Sequence, residues 1–78
     1  MNNARRKKLA DIQSKLEELN ELLEELKDEE QEDFENLPES LQDSERGQAM
    51  EEAAYCLEEA VDQIAEAVSN IETAIEPN

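Results

Sequence analysis

Several residue types that build common catalytic and metal sites are missing from this 78-residue chain. It has no histidine and no tryptophan, and one residue each of cysteine, glycine, tyrosine and phenylalanine. A cysteine nucleophile needs a nearby base, and zinc sites need histidine or several cysteines, so Cys56 alone supports neither. The composition therefore predicts a protein that is not an enzyme, with no catalytic residue, no metal ligand and no cofactor site.

The single cysteine also bears on compartment and stability. An intrachain disulfide is excluded, and a free thiol is typical of a reducing compartment, so we expect a cytoplasmic protein. No apolar run approaches the ~20 residues that span a bilayer, which predicts no membrane segment and no signal peptide. A chain this short buries only about 60% of its surface on folding. Oligomerisation is the remaining way to stabilise it.

Positive charge is scarce and unevenly placed. The chain has 23 acidic and 7 basic residues, for a net charge of −16 at pH 7, and four of the bases form one cluster, Arg5–Lys8. Such a body repels nucleic acid and anionic lipid, so we expect no direct binding to either and a basic protein as any charged partner. The cluster could be a nucleic-acid arm, but neutralisation of acids on the second helix is the favoured interpretation.

Apolar residues in the first half recur at alternating spacings of three and four, which predicts an amphipathic helix over about residues 4–35 with Asn3 as its N-cap. After Leu26 the pattern fails, and Phe34 with Leu37 begins a shifted apolar face. The predicted helix-packing stripe consists of Leu9, Ile12, Leu16, Leu19, Leu23 and Leu26.

Pro38 breaks this helix and places a turn at about residues 36–44. Ser44 is the favoured N-cap of a second helix over about residues 45–76, although Ser40 competes, and Pro77 closes the chain. The second helix carries an unbroken heptad stripe, formed by Met50, Ala54, Leu57, Val61, Ile64, Val68, Ile71 and Ile75.

A short connection makes consecutive helices antiparallel neighbours, with the numbers of facing residues adding to about 80. This register pairs Leu9 with Ile71 and Leu19 with Val61. The predicted fold is all-α: one antiparallel, coiled-coil-like helical hairpin over residues 1–78. Because the second helix is apolar on a wider arc than one neighbour covers, we expect the hairpin to form a homodimeric four-helix bundle, with the subunit orientation left open.

The expected subunit contact is marked by small residues. Alanines spaced by seven let a second helix approach closely, and the register leaves them on a flank that the first helix need not cover. The residues predicted for self-association are Ala53, Ala60, Ala67 and Ala74, with Leu57, Ile64 and Ile71.

A second candidate surface is acidic. Its carboxylates fall on outward positions of the first helix, which also fits a simple solvated face. The net charge, however, exceeds the magnitude of about 2–8 that solubility needs, which favours a binding role. The candidate partner-binding residues are Glu17, Glu18, Glu21, Glu24, Glu25, Asp28, Glu32 and Glu35.

In size, charge and layout, the chain resembles small acidic helical-hairpin proteins encoded by bacteriophages and prophages. The resemblance implies a role in phage–host conflict, in the host cytoplasm, where some acidic proteins imitate DNA and inhibit nucleic-acid-binding proteins. We therefore expect a non-enzymatic inhibitor that engages a basic partner. The alternative is a structural or adaptor coiled-coil module that acts through helix–helix contacts, with acids that only solubilise it.

Overall fold

The computed structural model describes residues 1–76 and contains three helices. They are α1 (Asn3–Glu35), α2 (Glu39–Gln42) and α3 (Glu45–Ile75), and no strand occurs within residues 1–76. The long helices begin and end within one residue of the predicted ranges 4–35 and 45–76. Pro77, the predicted stop of the second helix, lies outside the described residues.

The two long helices lie side by side. At 1.5 Å per residue, the 33 residues of α1 and the 31 of α3 measure about 50 Å and about 46 Å. The molecule extends only 58 × 16 × 16 Å, so the chain must fold back on itself. The Nδ2 atom of Asn20 donates to the carbonyl oxygen of Val61 at 3.1 Å, which places these residues opposite each other. The all-α antiparallel hairpin and its register near 80 are therefore confirmed.

Side-chain caps set where both long helices start. Asn2, not the predicted Asn3, caps α1, since its Oδ1 accepts from the backbone N–H of Arg5 at 2.8 Å. Asn3 is the first helical residue. Ser44 caps α3 as predicted, with its Oγ accepting from the N–H of Gly47 at 3.2 Å. Each cap satisfies one of the N–H groups that a helix start leaves without an intrahelical partner.

The turn contains a short helix that Pro38 precedes. Pro38 is extended at ψ 143°, and its carbonyl accepts from Leu41 and Gln42 within α2. The Nε2 atom of Gln42 then reaches back to the carbonyls at the end of α1, with 3.2 Å to that of Leu37. Gln42 thus covers carbonyl groups that the end of α1 leaves unpaired.

Gly47 is where the turn and α3 come closest. It is buried, and a Cβ at this position would overlap the backbone carbonyl oxygens of Leu41 and Gln42. Any side chain would push α2 away from α3. Close backbone approach therefore explains a glycine that would otherwise cost a helix about 1 kcal/mol relative to alanine.

The stripe of α1 that contacts α3 differs from the predicted one. Leu9, Leu16 and Leu23 are half-buried as expected, but Ile12, Leu19 and Leu26 are 48%, 60% and 57% exposed. The predicted pairing of Leu19 with Val61 is wrong, since Asn20 takes that place. The half-buried residues of α1 and the segment that follows it are Arg6, Leu9, Gln13, Leu16, Asn20, Leu23, Lys27, Glu30, Phe34 and Leu37.

This observed stripe, here called the seam, has the 3-4 spacing throughout. The predicted shift of the apolar face near Glu30 is wrong, because Phe34 and Leu37 continue the same phase as Leu9. Both possible stripes share Leu9, Leu16 and Leu23. Only the observed one also places Phe34 and Leu37 against α3 beside the turn, where the short connection restricts the rotation of α1.

The hairpin has little dry interior. Within residues 1–76, Ala54 is the one buried hydrophobic residue, at 8% exposure, and no large side chain is fully buried. The accessible surface is 6,087 Å², whereas a compact protein of 8.9 kDa exposes about 4,800 Å². The chain thus exposes about 1,300 Å² more than a compact monomer would.

Candidate protein-interaction surface

The heptad pattern assigns the outward residues of the hairpin to two sides. With positions a and d in the seam, antiparallel helices place e beside e on one flank and g beside g on the other. Position a of α1 holds Asn20 and that of α3 holds Val61, which fixes every other position. Positions e, b and f then form one side of the molecule, and positions g and c form the opposite side.

The side formed by positions g and c, here called the neutral side, is apolar along its middle. On α1 it presents exposed Leu22 beside Ile12, Leu19 and Leu26. On α3 it presents the alanines spaced by seven, of which Ala60 is half-buried and the others are exposed. The eight residues that define the neutral side are Ile12, Leu19, Leu22, Leu26, Ala53, Ala60, Ala67 and Ala74.

The side formed by positions e, b and f, here called the acidic side, carries most of the carboxylates. All eight candidate partner-binding residues of α1 lie on it and are exposed. Asp11 of α1 and eight exposed carboxylates of α3, which the sequence did not single out, lie on the same side. Those of α3 are Glu45, Glu51, Glu52, Glu58, Glu59, Asp62, Glu66 and Glu72.

Two shallow grooves between α1 and α3 open on the acidic side. One has a volume of about 320 Å³ and is lined by Glu17, Asn20, Glu21, Glu24, Ala65 and Val68. The other, of about 290 Å³ and nearer the turn, is lined by Gln31, Phe34, Glu35, Glu51, Tyr55 and Glu58. Each groove combines three carboxylates with apolar or aromatic side chains. This lining suits a lysine or arginine, whose long apolar stem ends in a charge.

Few of these carboxylates are paired with a base. Within residues 1–76 the ion pairs are Lys15–Asp11 at 3.0 Å and Lys27–Asp28 at 2.8 Å, and both lie inside α1. The hydrogen bond from Lys27 to Asp28, helped by the nearby charges of Glu58 and Glu24, raises the pKa of the lysine. Lys27 lies in the seam with 16% of its side chain exposed, so it partly offsets the charge between the helices.

The basic cluster makes no ion pair with the second long helix. Arg6 lies in the seam, half-buried, and its Nη1 donates to Oδ1 of Asn3 at 3.3 Å. No ion pair joins Arg5–Lys8 to Glu72 or Glu76 within residues 1–76. We expected the basic cluster to neutralise acids of the second helix. Within residues 1–76 it does so through no direct ion pair, so long-range attraction is the remaining contribution.

The predicted self-association residues separate into two groups. The four alanines lie on the neutral side, away from the seam. Leu57, Ile64 and Ile71 are half-buried in the seam and contact α1, so they hold the hairpin together. Because they are only half-buried, their prediction as self-association residues stays a prediction.

Two polar residues were missed by sequence reasoning. Asn20 bridges the seam to Val61, and its buried Oδ1 has no partner within residues 1–76. Gln42 caps the end of α1. Asn20 had a detectable signal, since Arg6, Gln13, Asn20 and Lys27 repeat every seven residues between the leucines. Gln42 had none, because its role depends on the path of the turn.

The remaining candidates are isolated side chains. Cys56 is exposed on α3, and Tyr55 is 62% exposed at the rim of the groove nearer the turn. Within residues 1–76, no group of three His, Cys, Asp or Glu side chains could hold a metal ion. No helix in the same range is long and apolar enough to cross a membrane.

No protein-family model, curated protein or solved structure matches this chain.

Proposed function

We propose that this protein is a non-enzymatic binding protein whose acidic side engages a basic, nucleic-acid-binding partner by imitating the charge of DNA. The observation that carries the proposal is the gathering of 17 exposed carboxylates from both long helices on one side of a rod. A solvated surface needs no such sorting, because mixed charges on all faces keep a small domain soluble.

The linear charge density supports imitation of nucleic acid. A net charge of −16 over a length of 58 Å is one charge per about 3.6 Å. One DNA strand carries a charge every 3.4 Å, and a duplex carries one every 1.7 Å of its axis. The hairpin therefore has the charge density of a single strand. We propose that it acts as a homodimeric four-helix bundle, which doubles that density.

The grooves supply a second supporting feature. Nucleic-acid-binding proteins present arginines and lysines that are spaced to contact phosphates. Phe34 and Tyr55 in the groove nearer the turn offer aromatic rings to such a cation, while Glu51 and Glu58 supply the charge. The resemblance to phage-encoded acidic hairpins is compatible with this role, and under this proposal the partner would be a protein of the host cytoplasm.

The proposal is tested by competition with duplex DNA. The probe is a purified, sequence-nonspecific architectural DNA-binding protein loaded with a fluorescent duplex of about 17 base pairs, which matches the 58 Å rod. We expect the hairpin to displace the duplex at low salt and to lose this effect near 0.5 M salt, because both complexes depend on charge. The proposal is contradicted if the hairpin fails to displace the duplex at low salt both from this architectural protein and from a purified nuclease.

Charge reversal at two different sets of residues distinguishes the effect of the acidic side from the effect of net charge. The test variant changes Glu21, Glu24, Glu25 and Asp28 to lysine. The matched control changes four acids outside the acidic side to lysine, namely Glu29 and Asp33 at the turn end of the neutral side and Glu39 and Asp43 in the turn. Sedimentation equilibrium checks that this control keeps the mass of the wild-type protein. Both variants change the net charge equally. We expect displacement to be lost in the first and largely kept in the second, whereas equal loss would show that net charge alone matters.

The adaptor function remains the alternative because of one observation, the exposed leucines of the neutral side. In that case a helix of another protein would cover Leu19 and Leu26, and charge reversal on the acidic side would leave partner capture unchanged. Substitution of both leucines by polar residues would abolish capture.

A further inference from the structure

We propose that the neutral side is the subunit interface, with α1 of each copy packed against α3 of the other around a twofold axis parallel to the helices. The structure exposes Ile12, Leu19 and Leu26 on the same flank as the alanines, so the interface is larger than the alanine stripe. The occupant is a second copy of this chain. This inference rests on the homodimer of the proposed function and deepens it by naming the contact residues and the arrangement.

Charge selects this side for self-association. Two copies with a net charge of −16 repel each other wherever carboxylates would meet. On α3, positions g and c between residues 49 and 75 hold no charged residue. On α1, the same positions between residues 12 and 26 hold four large apolar side chains and Lys15, which pairs with Asp11 on the same helix. Glu29 and Asp33 follow on the same side nearer the turn, so the middle of the neutral side is where two copies can meet without bringing carboxylates together.

The two halves of the neutral side are complementary in shape. Large side chains form a ridge on α1, and alanines form a depression on α3. The antiparallel register places Leu19 level with Ala60, and Leu26 level with Ala53. A twofold axis parallel to the helices brings the ridge of each copy over the depression of the other at the same height. An axis perpendicular to the helices would instead place ridge on ridge and alanine on alanine.

The accessible surface area of the hairpin is consistent with a second copy as the occupant of the neutral side. A stable dimer buries about 800 Å² on each partner. Over its whole rod-shaped surface the hairpin exposes about 1,300 Å² more than a compact protein of its mass, and an interface of this size would remove more than half of that excess. Within residues 1–76 its seam leaves Ala54 as the one buried hydrophobic residue, so a second copy would also complete the core.

The arrangement has a consequence for the acidic side. Covering the neutral sides leaves both acidic sides facing outward, at opposite surfaces of one bundle of unchanged length. The dimer then carries a net charge of −32 over 58 Å, or one charge per about 1.8 Å. This is close to the value of about 1.7 Å for duplex DNA.

Sedimentation equilibrium at tens of micromolar tests the interface. We expect the wild-type chain to show twice its 8.9 kDa mass, and a Leu19→Glu, Leu26→Glu variant to show the monomer mass. These leucines are already more than half exposed in the hairpin, so the change spares the seam. The matched control is Tyr55→Glu, Ala65→Glu, which also introduces two carboxylates, here at exposed residues of the acidic side, and should leave the dimer intact. A monomeric wild-type chain overturns the inference.

Disulfide trapping tests the arrangement and also serves if the leucine variant unfolds. In a Cys56→Ser background, chains carrying Leu19→Cys are mixed with chains carrying Ala60→Cys and oxidised. We expect the mixed disulfide to dominate, since a disulfide needs Cα atoms about 5.5 Å apart. Cross-linking of Leu19→Cys chains mainly with each other overturns the arrangement.

The two proposals can fail separately. A monomer that still displaces duplex DNA overturns this inference and leaves the DNA-imitating function standing. A dimer that does not displace duplex DNA overturns the DNA-imitating function and leaves this inference standing.

Discussion

At the scale of single residues, polar side chains occupy core position a in the first four heptads of α1, where they are Arg6, Gln13, Asn20 and Lys27. Asn20 is the clearest case, because its amide donates across the seam to Val61 while its buried Oδ1 lacks a partner within residues 1–76. An unsatisfied buried polar atom costs about 1–3 kcal/mol. A single polar residue at such a position is known to specify helix register at a cost in stability. Asn20 therefore weakens the hairpin while favouring the alignment that is observed.

Tyr55 gives a residue-scale prediction that can be measured directly. Its phenol lies next to Glu59, whose charge and hydrogen bond raise the pKa of the phenol above its ordinary value of 10.0. Because the folded-state pKa is raised, the associated stabilisation is present below the unfolded pKa and is lost as pH rises through the folded one. Glu59→Gln should lower the pKa, as measured by absorbance at the phenolate band.

The chain is well suited to this titration, since it has one tyrosine and no tryptophan. Glu66→Gln is the matched control, because it removes a carboxylate from the same face of α3 two turns beyond Glu59. The control should leave the midpoint close to that of the wild type. Equal shifts in both variants would mean that the overall charge, and not contact with Glu59, sets the pKa.

At the scale of helices, the rotation of α1 decides which residues are available to a partner. Leu9, Leu16 and Leu23 fit two alternative stripes, one with Ile12, Leu19 and Leu26 and one with Gln13, Asn20 and Lys27. The first buries more apolar surface, and periodicity alone favours it. The second is observed, and it leaves the more apolar set on the outside. The same helix can thus contact its own hairpin and a second chain with different residues.

The start of α3 gives an element-scale prediction. Ser44→Ala should destabilise the hairpin by about 1 kcal/mol, because the N–H of Gly47 loses the oxygen that caps it. Ser40→Ala is the matched control, since Ser40 is an exposed residue inside α2 that caps neither long helix. Urea unfolding followed by circular dichroism measures both. Equal destabilisation by the two changes would contradict the assignment of Ser44 as the cap.

At the scale of the whole molecule, packing and charge oppose each other. The hairpin buries little apolar surface, and its carboxylates are crowded on one side. Like charges four residues apart on a helix, such as Glu17–Glu21 and Glu24–Asp28, each cost a few tenths of a kcal/mol. A sequence selected for stability alone would not retain them. Their retention is the expected cost of the uniformly acidic surface that the proposed function requires.

Salt should therefore act with opposite signs on folding and on binding. We expect NaCl at about 0.5 M to raise the thermal midpoint of the isolated protein by several degrees, on the order of 1 kcal/mol, because it screens carboxylate repulsion. A Glu17→Gln, Glu21→Gln, Glu24→Gln variant should respond less. Thermal denaturation followed by circular dichroism, at one fixed protein concentration, is the measurement. A midpoint that falls with salt would show that attraction between charges dominates.

Much of the fold was predictable because it depends on local signals. Pro38 ends one helix, Ser44 starts another, and the 3-4 spacing of apolar residues identifies both helices. The candidate site was predictable only in part. The acids of α1 were identified by their density. The sequence did not show that Glu51, Glu58 and Glu72 of α3 lie on the same side, because this depends on how α1 and α3 are rotated about their axes.

The sequence by itself determined that this protein is two long helices joined at Pro38, strongly acidic and too small to bury a large core. These properties follow from composition, turn chemistry and hydrophobic period, which act over a few residues. Only the tertiary structure decided that Asn20 and Lys27 lie in the seam while Leu19 and Leu26 face outward. The physical reason is that two stripes of similar apolarity competed for one neighbour. The geometry of the turn, with Phe34 and Leu37 fixed against α3, resolved that competition.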